Sequence, residues 1–153
     1  MLQSYNHLFS GYHEDPATLL TTFESPPVDE MVILRNVEFW SICEHHLLPF
    51  FGKAHIAYIP SNGKIVGISK LARVLEVYTR RLQVQERICQ QVVDALMEHL
   101  QPVGAACMLE AQHLCMIMRG VQKQNSVMVT SCLRGAFLDN PATRQEFLSM
   151  VKQ

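Results

Sequence analysis

The chain has 153 residues, 48% of them apolar and 18% charged, with a formal net charge of −1. Such a chain is long enough for one domain with a real core, and its composition rules out disorder. The charge balance gives no footing for nucleic acid or an anionic membrane, so any anionic ligand needs a local basic cluster.

Residues 1–30 read as an irregular N-terminal segment with one short helix over Pro16–Phe23. Asp15-Pro16 and Ser25-Pro26-Pro27 are its breakers. The N-terminus, MLQSYNHLFSGYHEDP, lacks the basic start and apolar stretch of a secretory signal. A second unit, residues 31–153, carries everything else. Met31–Cys43, rich in Val, Ile, Phe and Trp, reads as a strand with a kink near Asn36. Lys53–Ile59 alternates as a strand should, and Pro60-Ser61-Asn62-Gly63 supplies a turn.

Ser69 is placed to cap a helix over Lys70–Arg81, with Leu71, Val74, Leu75 and Tyr78 on one face. Val84–Leu100 repeats the pattern through Ile88, Val92, Leu96 and Leu100 until Pro102 stops it. Ala105–Met118 and Val127–Leu133 read as strands joined by a loop over Gly120–Asn125. Asn140-Pro141 is a good cap and first residue for a last helix through Val151. Strands, two helices, strands and a short helix imply an α+β fold, an antiparallel sheet with helices on one face. No apolar run approaches the roughly 20 residues of a membrane span.

Five cysteines at scattered spacings do not suggest a disulfide framework, so a reducing, cytoplasmic setting is expected. Cys89 and Cys107 lie in apolar patterns and read as core. In SICEHHLLPF, Cys43 and His46 form a Cys-x-x-His pair that could bind one ion. The same spacing also suits a buried cysteine beside a hydrogen-bonded histidine. Downstream, His113 and Cys115 stand two apart in an expected strand, where i and i+2 share a face. Cys115 could then complete a site of two sulfurs and one imidazole, a donor set zinc favours. Three protein ligands leave a position for water, the mark of a catalytic site. Glu44 is expected to point away as a solvated carboxylate.

Ser69, Lys70 and Arg73 gather at an expected helix start, where N–H groups, the helix dipole and two cations suit an anion. An ordinary cap followed by solvated basic residues has the same spacing. Arg119 could add a phosphate contact or simply be a strand-end charge. Glu86 opens the second helix, which favours a carboxylate electrostatically. It could also accept two parallel hydrogen bonds from a guanine edge.

Taken together, SGYHEDP, CEHHLLPFFGKAHIAYIP, SKLAR, RRLQVQER, HLCMIMRGVQK and TRQEFL resemble the GTP cyclohydrolase I family, zinc enzymes that open pterin and tetrahydrofolate-type synthesis. The resemblance runs from about Leu8 to the C-terminus. It implies Cys43, His46 and Cys115 as zinc ligands, and His45 and His113 as catalytic histidines. It implies Gln85 and Glu86 for guanine, and Ser69, Lys70, Arg73 and Arg119 for the triphosphate. It further implies a tunnelling fold with a ββααββ core, and two face-to-face pentamers of this chain with active sites at subunit boundaries. Family members usually carry more helices upstream of the segment matching LFSGYHEDP, so a shortened N-terminus is expected.

The expected reaction is hydrolysis of GTP to 7,8-dihydroneopterin triphosphate and formate, through water attack at purine C8, ring opening and an Amadori rearrangement. Two alternatives have signatures of their own. A nitrile reductase of the same fold needs a nucleophilic cysteine and NADPH, and no reductase-like motif is present. A zinc-stabilised scaffold would want a fourth protein ligand.

Overall fold

The computed structural model describes residues 2–26 and 28–152. Helix α1 (Leu2–Leu8) leads through a 3-10 turn at Ser10–His13 into α2 (Pro16–Leu19) and strand β1 (Thr22–Glu24). The segment is thus more ordered than the sequence suggests. The helix expected over Pro16–Phe23 covers only its first turn, capped where Asp15 accepts from the Ala17 N–H. Thr22 and Phe23 go into β1, paired with a later strand.

Strands β2 (Val32–Cys43) and β3 (Pro49–Ile59) form a long antiparallel hairpin. Its register slips between Leu34 and Val37, with Asn36 at φ 56°, so the expected kink is a bulge. Asn62 and Gly63 both take positive φ, which a tight Asn-Gly turn requires, and lead into β4 (Lys64–Val66) against β1.

Helix α3 (Ile68–Thr79), the two-residue strand β5 (Leu82–Gln83) and helix α4 (Gln85–Leu100) come next. Gly67, not Ser69, occupies the N-cap of α3, and its carbonyl accepts from the Lys70 N–H. Ser69 therefore lies inside the first turn. The chain closes with β6 (Gly104–His113), α5 (Leu114–Ile117), β7 (Met128–Gly135), α6 (Ala136–Asp139) and α7 (Pro141–Val151). Asn140 caps α7 as expected, its side chain accepting from the Ala142 N–H.

The main sheet has the order β5-β2-β3-β6-β7. Every pairing is antiparallel except β5 on β2, a parallel pair of two residues. Even-numbered residues of β3 and odd-numbered residues of β6 face α3 and α4. There Ile56, Tyr58, Cys107 and Leu109 meet Leu71, Val74, Leu75, Ile88, Val92 and Leu96. Burying each such aliphatic side chain contributes about 1.5–3 kcal/mol. Two helices on one face of a ββααββ sheet agree with the expectation.

The opposite face is not bare. Phe137, Phe147 and Val151 of α6 and α7 cover Ala57, Ala106 and Met108, a second core that the sequence pattern did not announce. Cys89, Cys107 and Cys132 are buried as free thiols. No helix among the described residues is long and apolar enough to cross a membrane.

Candidate active site and metal centre

The hairpin turn from β2 to β3 is made of Glu44, His45, His46 and Leu47. It closes where the Leu47 N–H bonds the Cys43 carbonyl at 2.8 Å and the Cys43 N–H bonds the Leu48 carbonyl at 2.9 Å. Leu47 takes φ 56°, which directs the chain back into Pro49. The turn holds Cys43 Sγ 3.6 Å from His46 Nδ1.

Cys115 arrives from β6, though not as a strand residue. The β3–β6 ladder pairs Phe50 with His113, so Leu114 would fall opposite Pro49. Proline has no N–H to extend the ladder. The strand ends there, and Leu114–Ile117 makes one helical turn, with Met118 N–H bonding Leu114 O at 3.0 Å. That turn, and not strand alternation, carries Cys115 to the hairpin.

The ligand atoms of Cys43, His46 and Cys115 all lie within 4.8 Å of one another. Among the described residues no fourth His, Cys, Asp or Glu joins them. Two sulfurs and an imidazole suit zinc, whose tetrahedral ligand edges would be about 3.3–3.8 Å from its bond lengths. The group is already near that size. Burial, and the thiol of Cys43 beside it, push the Cys115 thiol above its ordinary range.

His113 borders this cluster with its ring stacked flat on Phe50, centroids 4.6 Å apart and planes 2° apart. Its Nε2 lies 2.8 Å from Gln85 Oε1. Burial lowers its pKa below the usual imidazole value, against a smaller opposing pull from Glu86. His45 stands on the outer side of the hairpin turn, 65% exposed, with Nε2 3.8 Å from Glu44 Oε1.

Glu44 departs from the expectation of a free carboxylate. Its two oxygens receive Arg87 Nη1 at 2.5 Å and Nη2 at 3.0 Å, a fork that also lowers its pKa. The Glu44 N–H adds a 3.0 Å bond to Gln83 O. Hairpin turn and α4 N-terminus are thereby tied together.

Gln85 and Glu86, adjacent in sequence, have opposite surroundings. Gln85 is 1% exposed, and both its amide nitrogen and its amide oxygen have partners within the chain. Glu86 is exposed and lines an open groove of about 400 Å³ with Gln90, Thr130, Cys132 and Arg134. Arg119 is exposed, four residues beyond Cys115.

Ser69, Lys70 and Arg73 are elsewhere. Helix α3 begins after β4, beyond the Ile59 end of β3, and finishes near the β2–β3 hairpin, where Ser41 Oγ bonds Arg81 O. Twelve residues of helix span about 18 Å, so its N-terminal cations stand far from the Cys43, His46 and Cys115 cluster of their own chain. Sequence reading missed Arg87, Phe50 and Thr130; each acts through a partner more than forty residues away or on a neighbouring strand.

The family description "GTP cyclohydrolase I" matches residues 1–152. The chain belongs to the GTP cyclohydrolase I family. A GTP cyclohydrolase 1 of Wolinella succinogenes is 56% identical over 99% of this chain and 81% of its own length. One from Chlorobium chlorochromatii is 55% identical over 99% and 68%. One from Dehalococcoides mccartyi (strain CBDB1) is 51% identical over 98% and 80%. Among solved structures, the archaeosine synthase QueF-Like in its apo form superposes with a TM-score of 0.57 over 72% of this chain and 97% of that one. Its sequence identity is 13%, so that likeness concerns the fold alone.

Proposed function

We propose that this chain hydrolyses GTP to 7,8-dihydroneopterin triphosphate and formate, the first step of pterin synthesis, as a zinc enzyme of the cytoplasm. The observation that carries the reading is the three-ligand cluster of Cys43, His46 and Cys115 beside the ring of His113. Bound there, zinc would lower the pKa of a water to about 7 and supply a nucleophile for purine C8.

The chain's own residues supply the rest. Imidazole is the side chain whose ordinary pKa is nearest neutrality, and His113 and His45 are the groups assigned to the proton transfers of ring opening and rearrangement. Glu86, exposed in its groove, offers two carboxylate oxygens to the adjacent donors of a guanine edge. Gln85 completes this base-recognising pair in the reading from resemblance. Ser69, Lys70, Arg73 and Arg119 take the triphosphate.

Because Lys70 and Arg73 lie at the far end of α3, the complete site needs a neighbouring copy. The sheet offers the means. Among the described residues β5 pairs only with Ile42 and Cys43, leaving β2 from Val32 to Ser41 without a strand on its outer side, and β7 is the opposite edge. Unpaired edges invite further strands. A ring closed edge to edge, two pentamers stacked as a decamer, would pair both. Nucleic acid and membranes have no part in this reading.

The experiment is direct. Purified, zinc-loaded protein is incubated with GTP, and formate and fluorescent oxidised neopterin are measured. Formation of both supports the reading, and intact GTP refutes it.

A further inference from the structure

The carboxamide of Gln85 is buried and surrounded by partners from β6 and β7. Its Nε2 lies 3.1 Å from Leu109 O, 3.0 Å from Met128 O and 3.1 Å from Thr130 Oγ1. Two of these are carbonyls, which only accept. Turning the amide over would set Oε1 against both in a residue 1% exposed, leaving buried acceptors facing one another. The amide orientation is therefore determined by its neighbours.

That orientation decides which ring nitrogen of neutral His113 carries the hydrogen. Gln85 Oε1 has only lone pairs to offer, and it lies 2.8 Å from His113 Nε2. The ring nitrogen must be the donor. We infer that Gln85 is a positioning residue that holds His113 in its Nε2–H tautomer, leaving Nδ1 as the ring's free lone pair. Phe50, stacked on the imidazole and paired with His113 across the ladder, fixes the plane in which that lone pair lies.

This role for Gln85 deepens the proposed function and rests on its placing of His113 among the proton-transferring groups. It also divides the Gln85-Glu86 pair. Both amide N–H groups and one lone pair of Oε1 are spent inside the protein, which turns the Gln85 side chain away from the guanine contact that the resemblance implies for it. Side-chain recognition of guanine then falls to Glu86. The carbonyls that hold Gln85 come from the end of the β6–β7 ladder, whose last pair is Ala111 with Met128. Two strands and the first residue of α4 thus converge on one imidazole.

The test reads the tautomer without asking for turnover. Zinc-loaded protein carrying ¹⁵N-histidine is examined without GTP by long-range ¹H–¹⁵N correlation. His113 should show a pyrrole-type Nε2 and a pyridine-type Nδ1; the reverse pattern overturns the inference, whether or not the protein turns over GTP. A second measurement uses Gln85→Leu with its zinc content verified. The expected result is a fall of about 10- to 100-fold in kcat with KM for GTP within about twofold, as for a misplaced group acting after binding. A raised KM with unchanged kcat would instead make Gln85 a guanine contact and overturn the inference. If Gln85→Leu does not fold, the spectrum of the parent protein decides alone.

Discussion

Glu44 and Arg87, 43 residues apart, meet in a two-pronged ion pair at 2.5 and 3.0 Å. The carboxylate belongs to the β2–β3 hairpin that carries Cys43 and His46, and the guanidinium comes directly after Glu86 on the first turn of α4. The pair links the segment that carries the cluster to the segment that carries the proposed base-binding carboxylate. Arg87→Leu is expected to keep zinc but lower kcat/KM for GTP by about 10- to 100-fold, since small displacements of reacting groups cost that much. Unchanged kcat/KM would make the fork irrelevant to the site. The pair has a pH limit of its own. The pKa of Glu44 is lowered by its bond to Arg87, so the contribution is complete above the ordinary carboxylate value of 4.5 and disappears as acid reaches the lowered one. At neutral pH the fork contributes no pH dependence.

Metal binding makes a second expectation. Cys43→Ser and Cys115→Ser should each lose both stoichiometric zinc and turnover, because a hydroxyl replaces one of only two sulfurs in a three-ligand set. Chelation of the parent protein should do the same, and added zinc should restore it. Metal analysis checks this; a variant retaining full zinc and activity would show that its cysteine is not a ligand.

The far-end position of Lys70 and Arg73 leads to a third. Arg73→Ala and Cys43→Ser should each be inactive, the first through weak GTP binding. Co-assembled, they should recover activity, because some sites then combine an intact metal cluster from one copy with an intact α3 from its neighbour. No recovery in verified mixed assemblies would mean that the triphosphate is not held across a boundary. Alanine at Lys70 or Arg119 should likewise weaken GTP binding, measured by equilibrium titration.

Much of this arrangement could be read from the chain. The periodicity of Leu71, Val74, Leu75, Ile88, Val92 and Leu96 reports a core-facing stripe whichever sheet lies beneath, and Asn140-Pro141 marks a helix start by local chemistry alone. The departures have non-local causes. His113-Leu114-Cys115 continues a strand-like pattern, but the ladder ends at Pro49, which no window around residue 113 contains. Glu44 looked solvated because Arg87 is distant in sequence. Ser69 is a good cap residue placed too late, since Gly67 already supplies the extended φ/ψ that an N-cap needs. Helix α1 carries Leu2, Tyr5 and Leu8 at helical spacing but is only seven residues long and buries none of them, so its stripe has no core to report.

Base recognition has its own signature in Glu86→Gln. The change preserves shape while replacing one acceptor with a donor and removing the charge. Zinc content should stay at the parent level while GTP turnover falls by up to about 10⁴-fold, the scale at which a hydrogen-bonding site rejects a mismatched edge. If Glu86 only favours the start of α4, the loss would be about 0.3–1 kcal/mol of stability with turnover near the parent rate.

The most direct test tracks one carbon atom. GTP labelled with ¹³C at C8 is given to the zinc-loaded, assembled protein, and the products are read by NMR. The label is expected in formate, one equivalent for each dihydroneopterin triphosphate formed, with none released by Cys43→Ser. Label that remains in the purine, or that stays in the pterin product, would contradict hydrolysis at C8 by this metal site.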